Sequence, residues 1–397
     1  MVNTDKKLID KILNRGSVVD ALPCMGDFRK KLESGEKLRI YIGADPTSPA
    51  LHLSHAKNYM LLEEFRQLGH EVIVLIGDFT ARIGDPSGQG SKRKQLTREE
   101  VQKNVEGWKD QIRPLMDFDT KDNPPQILYN HDWLSKLTFE DLIEISSNFT
   151  AQQMLERDMF QERLKKQKPI FLHEFMYPLM QGYDSVHMDV DVEMCGSDQI
   201  FNALVGRTML KKERNKEKFV LVLDMMENPK TGELMSKSRG TGVFLSSTSS
   251  DMFGAIMSQP DEMTRLMLIN NTRMGLLEVD GVLKEKPMDA KKKCAFEIVK
   301  IFHGEKEAER AQKNFEEIFQ KKELPEGIQS IGAKNGDELK KILLSNNIVD
   351  TSSEYRRLVN DGAIDFDGNT IEDTHYKIKK SGVARVGKKK FVKIELF

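Results

Sequence analysis

Short runs of apolar and β-branched residues punctuate the chain at 39–43, 72–77, 126–130 and 219–223, and longer segments with a helical period lie between them. Strands buried on both faces read as unbroken apolar runs, and strands alternating with helices build a parallel sheet covered by helices. One intervening helix is explicit. Val101, Val105, Trp108, Ile112 and Leu115 recur at steps of four, three, four and three, which is one helix face. Thr97 followed by Glu100 forms a capping box in front of it, and the stripe reads as core packing. Residues 134–185 read as a helical insertion, opened by a second cap at Thr138-Phe139-Glu140-Asp141. Apolar and polar residues alternate over 186–194, which predicts a strand leading into Gly196-Ser197-Asp198-Gln199. Residues 251–325 are helical in pattern and rich in Met, Phe, Lys and Glu. From about residue 335 the pattern becomes a compact helix–turn–strand alternation with a basic end. The run Ser246-Ser247-Thr248-Ser249-Ser250 reads as a linker, and no internal repeat is visible.

Composition narrows the class. The chain has 397 residues, enough for two to four domains, and its 39% hydrophobic and 31% charged content is globular. A net charge of −1 excludes a global attraction to polyanions, so any RNA contact must come from local patches. Cys24, Cys195 and Cys294 show no CxxC spacing, which argues against a zinc site and against a disulfide framework. A reducing, cytoplasmic setting is expected. The first residues carry no apolar run of a signal peptide, and no stretch reaches the roughly 18 apolar residues of a membrane span.

Five segments carry chemistry. The strand-like Arg39-Ile40-Tyr41-Ile42-Gly43 is followed by the turn Ala44-Asp45-Pro46-Thr47-Ser48-Pro49 and then by His52-Leu53-Ser54-His55, which opens a helix-like stretch ending near Gly69. A helix N-terminus favours anions through free N–H groups and the macrodipole, so a strand, a tight turn and two imidazoles make a triphosphate site. Gly43 permits close backbone approach, Asp45 suits an ammonium or a ribose, and Thr47 suits a phosphate. A second turn reads Gly77-Asp78-Phe79-Thr80-Ala81-Arg82-Ile83-Gly84-Asp85-Pro86-Ser87-Gly88. In the third segment, Tyr177, Gln181 and Asp184 stand four and three apart, on one face of an otherwise apolar helix. That suits a small polar ligand, with a hydrogen-bonded core cluster as the alternative. Gly196-Ser197-Asp198-Gln199 follows a strand and suits a ribose and a carboxylate. The fifth, Met235-Ser236-Lys237-Ser238, lies in a Gly/Ser/Thr-rich loop after the strand-like 219–223 run, where one lysine can close on phosphates.

The order of these segments resembles the class I aminoacyl-tRNA synthetases, whose HIGH and KMSKS signatures flank a nucleotide-binding Rossmann domain. The more specific resemblance is to the bacterial-type tyrosyl-tRNA synthetases, and it covers nearly the whole chain. It implies a Rossmann-type α/β catalytic domain over 1–230 with the helical insertion at about 134–185, and a signature loop and linker over 231–250. An α-helical anticodon-side domain over 251–330 and a small α+β, S4-like RNA-binding domain over 335–397 would follow. The family's roles, carried over residue by residue, place Thr47 and His52 on the terminal phosphate of ATP and His55 near the nucleotide. Gly43, Asp45, Gly196 and Asp198 would line the ATP site, with Asp198 on the ribose. Asp85, Tyr177 and Gln181 would hold the α-amino group of tyrosine, and Gln199 its carboxylate. Asp184 and Tyr41 would contact its phenol. Arg93 and Lys237 would reach the pyrophosphate.

The chain departs from the family at three positions. Ser54 replaces the third-position Gly of HIGH, Gln89 stands where the family has a loop lysine, and Leu234 replaces the first lysine of KMSKS. Lys92 and Lys230 are the neighbouring cations for the two lost charges. At the C-terminus, Ser352-Ser353-Glu354-Tyr355-Arg356-Arg357-Leu358-Val359 and Gly362-Ala363-Ile364-Asp365-Phe366-Asp367-Gly368 resemble an S4 domain. Residues 376–397 then hold eight Lys/Arg against one Glu, so Arg356, Arg357, Lys388, Lys389 and Lys390 are the candidate RNA contacts.

The resemblance implies ATP-dependent activation of L-tyrosine, then transfer to the 3′ end of tRNA(Tyr). It also implies Mg²⁺ arriving with the ATP phosphates, no protein-bound metal, no membrane and a homodimer. Three alternatives stay open on the sequence. One is a small-molecule nucleotidyltransferase. Another is an RNA-binding paralogue that has lost activation. The third is a tryptophan ligase, which Asp184 and Tyr41 disfavour.

Overall fold

The computed structural model describes residues 1–84, 96–235, 242–317, 329–387 and 390–397. The chain forms two compact units, Met1–Glu309 and Arg310–Phe397.

The first unit is built on a six-stranded sheet: β1 (Val18–Leu22), β2 (Arg39–Ala44), β3 (Glu71–Ile76), β4 (Gln126–Tyr129), β5 (Val192–Gly196) and β6 (Phe219–Leu223). Its order is β1-β6-β5-β2-β3-β4, parallel throughout except for β1, which runs antiparallel to β6 along one edge. Ile40, Val72, Ile73, Val74, Val192, Val220 and Leu221 are buried, as the continuous apolar runs require. β1 escaped the apolar pattern because it is an edge strand, with Val19 and Asp20 exposed.

Helix Leu53–Gln67 is the crossover between β2 and β3, and it buries Ala56, Tyr59, Leu62 and Phe65 against the sheet. The expected stripe from Val101 to Leu115 is real in burial, with Val101, Trp108, Ile112 and Leu115 all buried. It is not one helix. Residues Arg98–Val105 and Trp108–Ile112 are separate helices, broken at Gly107, where glycine's conformational freedom weakens the helix. The expected cap is present, with Thr97 N donating to Glu100 Oε2 (2.8 Å) and Glu100 N to Thr97 Oγ1 (3.2 Å).

Helices fill the span between β4 and β5, ending in helix Met176–Met188. The expected strand over 186–194 is therefore displaced. The helix continues to Met188, Asp189 closes it in the left-handed region at φ 49°, and β5 begins only at Val192. The Ser/Thr run at 246–250 is likewise no linker. Thr248 Oγ1 accepts from Asp251 N (3.2 Å) and caps helix Ser249–Met257, a start signal that composition alone conceals. Further helices, Met263–Asn271, Leu276–Val282 and Pro287–His303, belong to the same unit. Arg15 ties the end of helix Met263–Asn271 and the segment after it to the N-terminal part by donating to the carbonyls of Ile269, Thr272 and Met274.

The second unit carries a five-stranded sheet: β7 (Gln329–Ala333), β8 (Ile364–Phe366), β9 (Asn369–Thr370), β10 (Gly382–Val386) and β11 (Lys390–Leu396), in the order β7-β11-β10-β8-β9. Helices Leu339–Ser345 and Ser352–Asn360 complete it, and Leu343, Tyr355, Ile364, Ala384 and Ile394 form its own core. Asp367 and Gly368, at φ 48° and 79°, are the two-residue turn joining β8 to β9.

Candidate active site

The C-terminal ends of β2, β3, β5 and β6 open onto a cavity of about 480 Å³. This is where open α/β sheets bind ligands. Of the residues singled out in the sequence, Tyr41, Gly43, Asp45, Thr47, His52, His55, Tyr177, Gln181, Asp184, Gly196, Asp198 and Gln199 all line it. Asp85, Gln89, Lys92, Arg93, Lys237, Lys388 and Lys389 lie outside the described residues.

The closed end is polar and densely bonded. Tyr177, Gln181 and Asp184 project from one face of helix Met176–Met188, as their spacing requires. Tyr177 Oη donates to Asp45 Oδ2 (2.8 Å), and Thr80 Oγ1 donates to Asp45 Oδ1 (2.7 Å). Gly77 makes room for that carboxylate: a Cβ there would stand 2.0 Å from Asp45 Oδ1. Asp184 is 2% exposed and accepts from Trp133 Nε1 (2.7 Å) and Asn130 Nδ2 (3.2 Å). Asn130 is the hub. It also donates to Thr80 Oγ1 (3.1 Å) and accepts from Phe79 N (2.9 Å). Burial pushes the Asp184 carboxyl well above the usual range, against the two donors that lower it.

Behind this face lies a buried ionic group. Tyr41 Oη meets Ser185 Oγ at 3.0 Å, Lys218 Nζ donates to Ser185 Oγ at 2.9 Å, and Lys218 is ion-paired with Glu193. Glu193 Oε1 accepts from Gln181 Nε2 (2.8 Å), and the network reaches the cavity at Tyr41, Gln181 and Glu193 itself. Burial and the Glu193 carboxylate together raise the Tyr41 phenol well above its ordinary value, keeping it a neutral donor.

The open end is built on the N-terminus of helix Leu53–Gln67. His52 is its N-cap; His52 N donates to His55 Nδ1 (3.2 Å) and the two rings lie 4.0 Å apart. Burial lowers His52 from 6.5 to about 4, and burial together with its neighbours lowers His55 to about 3. Both imidazoles are therefore neutral at pH 7 and serve as hydrogen-bonding groups. Thr47 is exposed on the preceding turn. Gly43 lines the cavity, and a Cβ there would make only ordinary contact with protein, at 3.8 Å, so the protein itself leaves room at this position. Across the cavity, Gln199 Nε2 donates to Asp198 Oδ2 (3.0 Å), and Asn202 Nδ2 to Gln199 Oε1 (2.8 Å).

The two signature regions meet at this end. His52 bridges Phe244, Leu53 N donates to Val243 O (3.0 Å) and Leu245 N to Leu51 O (2.9 Å), while Leu234 and Met235 line the cavity. Lys230 does not line it; its ammonium is paired with Glu262 at the surface. The sequence reading missed Thr80, Asn130, Trp133, Ser185, Glu193, Lys218 and Lys57. Glu193 and Lys218 carry a faint signal, each being a charge set within or beside an apolar strand.

A sheet of this order, with a cavity joining an HxxH helix terminus to a second signature segment, defines a class I tRNA synthetase. The model of the tRNA synthetases class I (W and Y) matches residues 33–320, and the chain belongs to that family. Curated relatives along nearly the whole chain include tyrosine–tRNA ligases. The one from Thermotoga maritima is 38% identical, over 97% of this chain and 96% of its own length. The one from Carboxydothermus hydrogenoformans is 38% identical over 97% of each. Among solved structures, a C-terminally truncated mitochondrial tyrosyl-tRNA synthetase of Aspergillus nidulans superposes with a TM-score of 0.67 at 20% identity, covering 79% of this chain and 94% of its own. The Archaeoglobus fulgidus tyrosyl-tRNA synthetase complexed with L-tyrosine gives 0.58 at 17% identity, covering 77% and 99%.

Proposed function

We propose that the chain ligates L-tyrosine to tRNA(Tyr) in two steps, through tyrosyl-adenylate. The observation that carries this reading is Asp184. A carboxyl group held from both sides by Trp133 and Asn130, beside Tyr41 at the closed end of the cavity, is built to meet a hydroxyl rather than a bare ring. Leaving such a group unpaired is costly, which is how a site rejects the analogue lacking the hydroxyl; the general example of this effect is tyrosyl-tRNA synthetase itself. Tyr177, Gln181 and Asp85 take the α-amino group, and Gln199 orients the carboxylate for in-line attack on the α-phosphate of ATP. Asp198 takes the ribose, with Gly43, Asp45 and Gly196 lining the nucleotide's path. Catalysis is positioning plus stabilisation of the leaving pyrophosphate by Thr47, His52, His55, Arg93 and Lys237, with Mg²⁺ entering as MgATP.

The second unit is the proposed tRNA contact, an S4-like domain over 335–397. Arg356 and Arg357 are exposed on helix Ser352–Asn360, Lys390 is exposed, and Lys388 and Lys389 add charge in sequence. The helices over 251–330 are the anticodon-side domain in this reading. A homodimer through the inserted segment is supported by its exposed apolar residues Phe139, Ile143, Leu164, Phe171 and Leu172. The cytoplasm is the proposed setting; no helix among the described residues is long and apolar enough to cross a membrane. The test is ATP–pyrophosphate exchange with each of the twenty amino acids. Exchange should depend on tyrosine; dependence on tryptophan, or none at all, overturns the reading.

A further inference from the structure

Lys57 sits one turn into helix Leu53–Gln67, and none of the assigned roles uses it. With Ser54 and Asn58 it forms an i, i+3, i+4 set, and all three line the cavity. It is 6% exposed. Its one hydrogen bond among the described residues runs to Asn58 Oδ1 (2.9 Å), and none of their carboxylates lies within ion-pair distance. The other buried lysines among the described residues of this unit have partners at their ammonium groups: Lys218 has Glu193 and Ser185, and Lys291 has Gln259 O and Asp261. An ammonium has three donors, so Lys57 keeps two for the cavity. Desolvation lowers its pKa to about 8, while Asp224 and Asp198 hold it up from farther off. Ser54 Oγ, on the same face, is buried without a hydrogen-bond partner among the described residues. A buried cation and a buried hydroxyl with unused capacity, on residues that line one cavity, call for acceptors that the described residues do not supply.

Among the described residues, two carboxylates and one ammonium leave this corner net negative, which repels polyphosphate. It suits a neutral group that brings hydroxyl donors to Asp198 and Asp224 and ring acceptors to Lys57. We propose that Lys57 binds the adenosine half of ATP, donating from its ammonium to a ribose or adenine acceptor, with Ser54 as a second contact. The assignment rests on the ligase reading for its ligand, and its test is separable from that reading.

The probe is adenosine, which carries no charge. Its affinity is measured by calorimetry on the full-length protein, Lys57→Met and Ser54→Ala, alongside the KM for ATP and for tyrosine in pyrophosphate exchange. Lys57→Met should weaken adenosine and raise the KM for ATP together, by about tenfold or more, as the loss of a charge-assisted hydrogen bond requires. The KM for tyrosine should stay within about twofold, a change worth less than half a kcal/mol. The thermal midpoint should hold or rise, because a buried charge is removed. Ser54→Ala should show the same pattern with a smaller change. Unchanged adenosine affinity overturns the proposal, whether the KM for ATP is unchanged or raised. A rise in the latter alone would mean that the ammonium only offsets Asp198 and Asp224 or serves the phosphates. Adenosine binding needs no turnover, so a parent protein without tyrosine-dependent exchange would sink the ligase reading and still leave Lys57 decided.

Discussion

Trp133 Nε1 donates to Asp184 Oδ1 at 2.7 Å, and the indole that makes this bond stacks on His187, 4.5 Å between ring centroids. The donor is therefore fixed by packing before any ligand arrives. Asn130 takes the other oxygen at 3.2 Å and is itself held by Thr80 and Phe79 N. A carboxyl with one donor on each oxygen keeps capacity for a further partner, and Asp184 lines the cavity. Burial raises its pKa well above the usual carboxylate range, and either protonation form can pair with a phenol, accepting from it or donating to it.

Asp184→Ala should therefore erode the preference for tyrosine over phenylalanine by about 1.5–3 kcal/mol, the worth of a hydrogen bond to a charged group. The measurement is kcat/KM in pyrophosphate exchange with each amino acid. An equal fall for both would mean that Asp184 does not face the phenol.

β2, β3 and β6 were legible because burial removes polar residues from their interiors, whereas β5, which holds Glu193, was expected too early, over 186–194. β1 was not legible, since an edge strand keeps Val19 and Asp20 in solvent. Tyr177, Gln181 and Asp184 were legible because helical spacing puts them on one face. Their supports were not. Asn130 and Trp133 reach Asp184 only because β4 pairs beside β3 and ends next to helix Met176–Met188. Lys218 and Glu193 meet through the register of β5 and β6, in which Val192 faces Phe219 and Glu193 faces Val220. Pairings set by topology leave no local mark, whereas periodicity and caps do.

Lys218→Met should destabilise the protein by about 3–5 kcal/mol, the cost of leaving a buried charge without its partner. Here the stranded group is Glu193, 2% exposed. Lys218→Met combined with Glu193→Gln should recover most of that loss, because no charge then stays buried. Denaturant unfolding of the two single variants and the double variant gives the coupling. Additive losses would show that the pair acts independently.

The two signature histidines give the stability a pH dependence of known sign. Their folded values, about 4 for His52 and about 3 for His55, lie below the ordinary 6.5, so the unfolded chain binds protons first. Their contribution is complete above pH 6.5 and is lost as pH falls toward 4 and then 3. A His52→Asn, His55→Asn double variant should lose less stability than the parent between pH 7 and pH 4.5, a window inside that range. The readout is the denaturant midpoint at each pH. A parallel fall in both proteins would mean that the imidazoles are not held neutral by the fold.

Removing residues 329–397 should spare tyrosyl-adenylate formation and cripple tRNA charging. The cavity and every described residue that lines it belong to Met1–Glu309, and residues 329–397 have a separate apolar core around Tyr355, Leu343 and Ile394. Loss of the second core therefore leaves the first intact. What is lost is the basic surface, with Arg356 and Arg357 exposed. Phosphate contacts release counterions, so the intact protein's charging should weaken steeply with salt, while its pyrophosphate exchange should change little. The truncated protein should charge slowly at every salt concentration and show a flatter salt dependence, having fewer phosphates to neutralise. Charging by the truncated, folded protein at the parent rate and with the parent salt slope would place the tRNA contact entirely within the first unit.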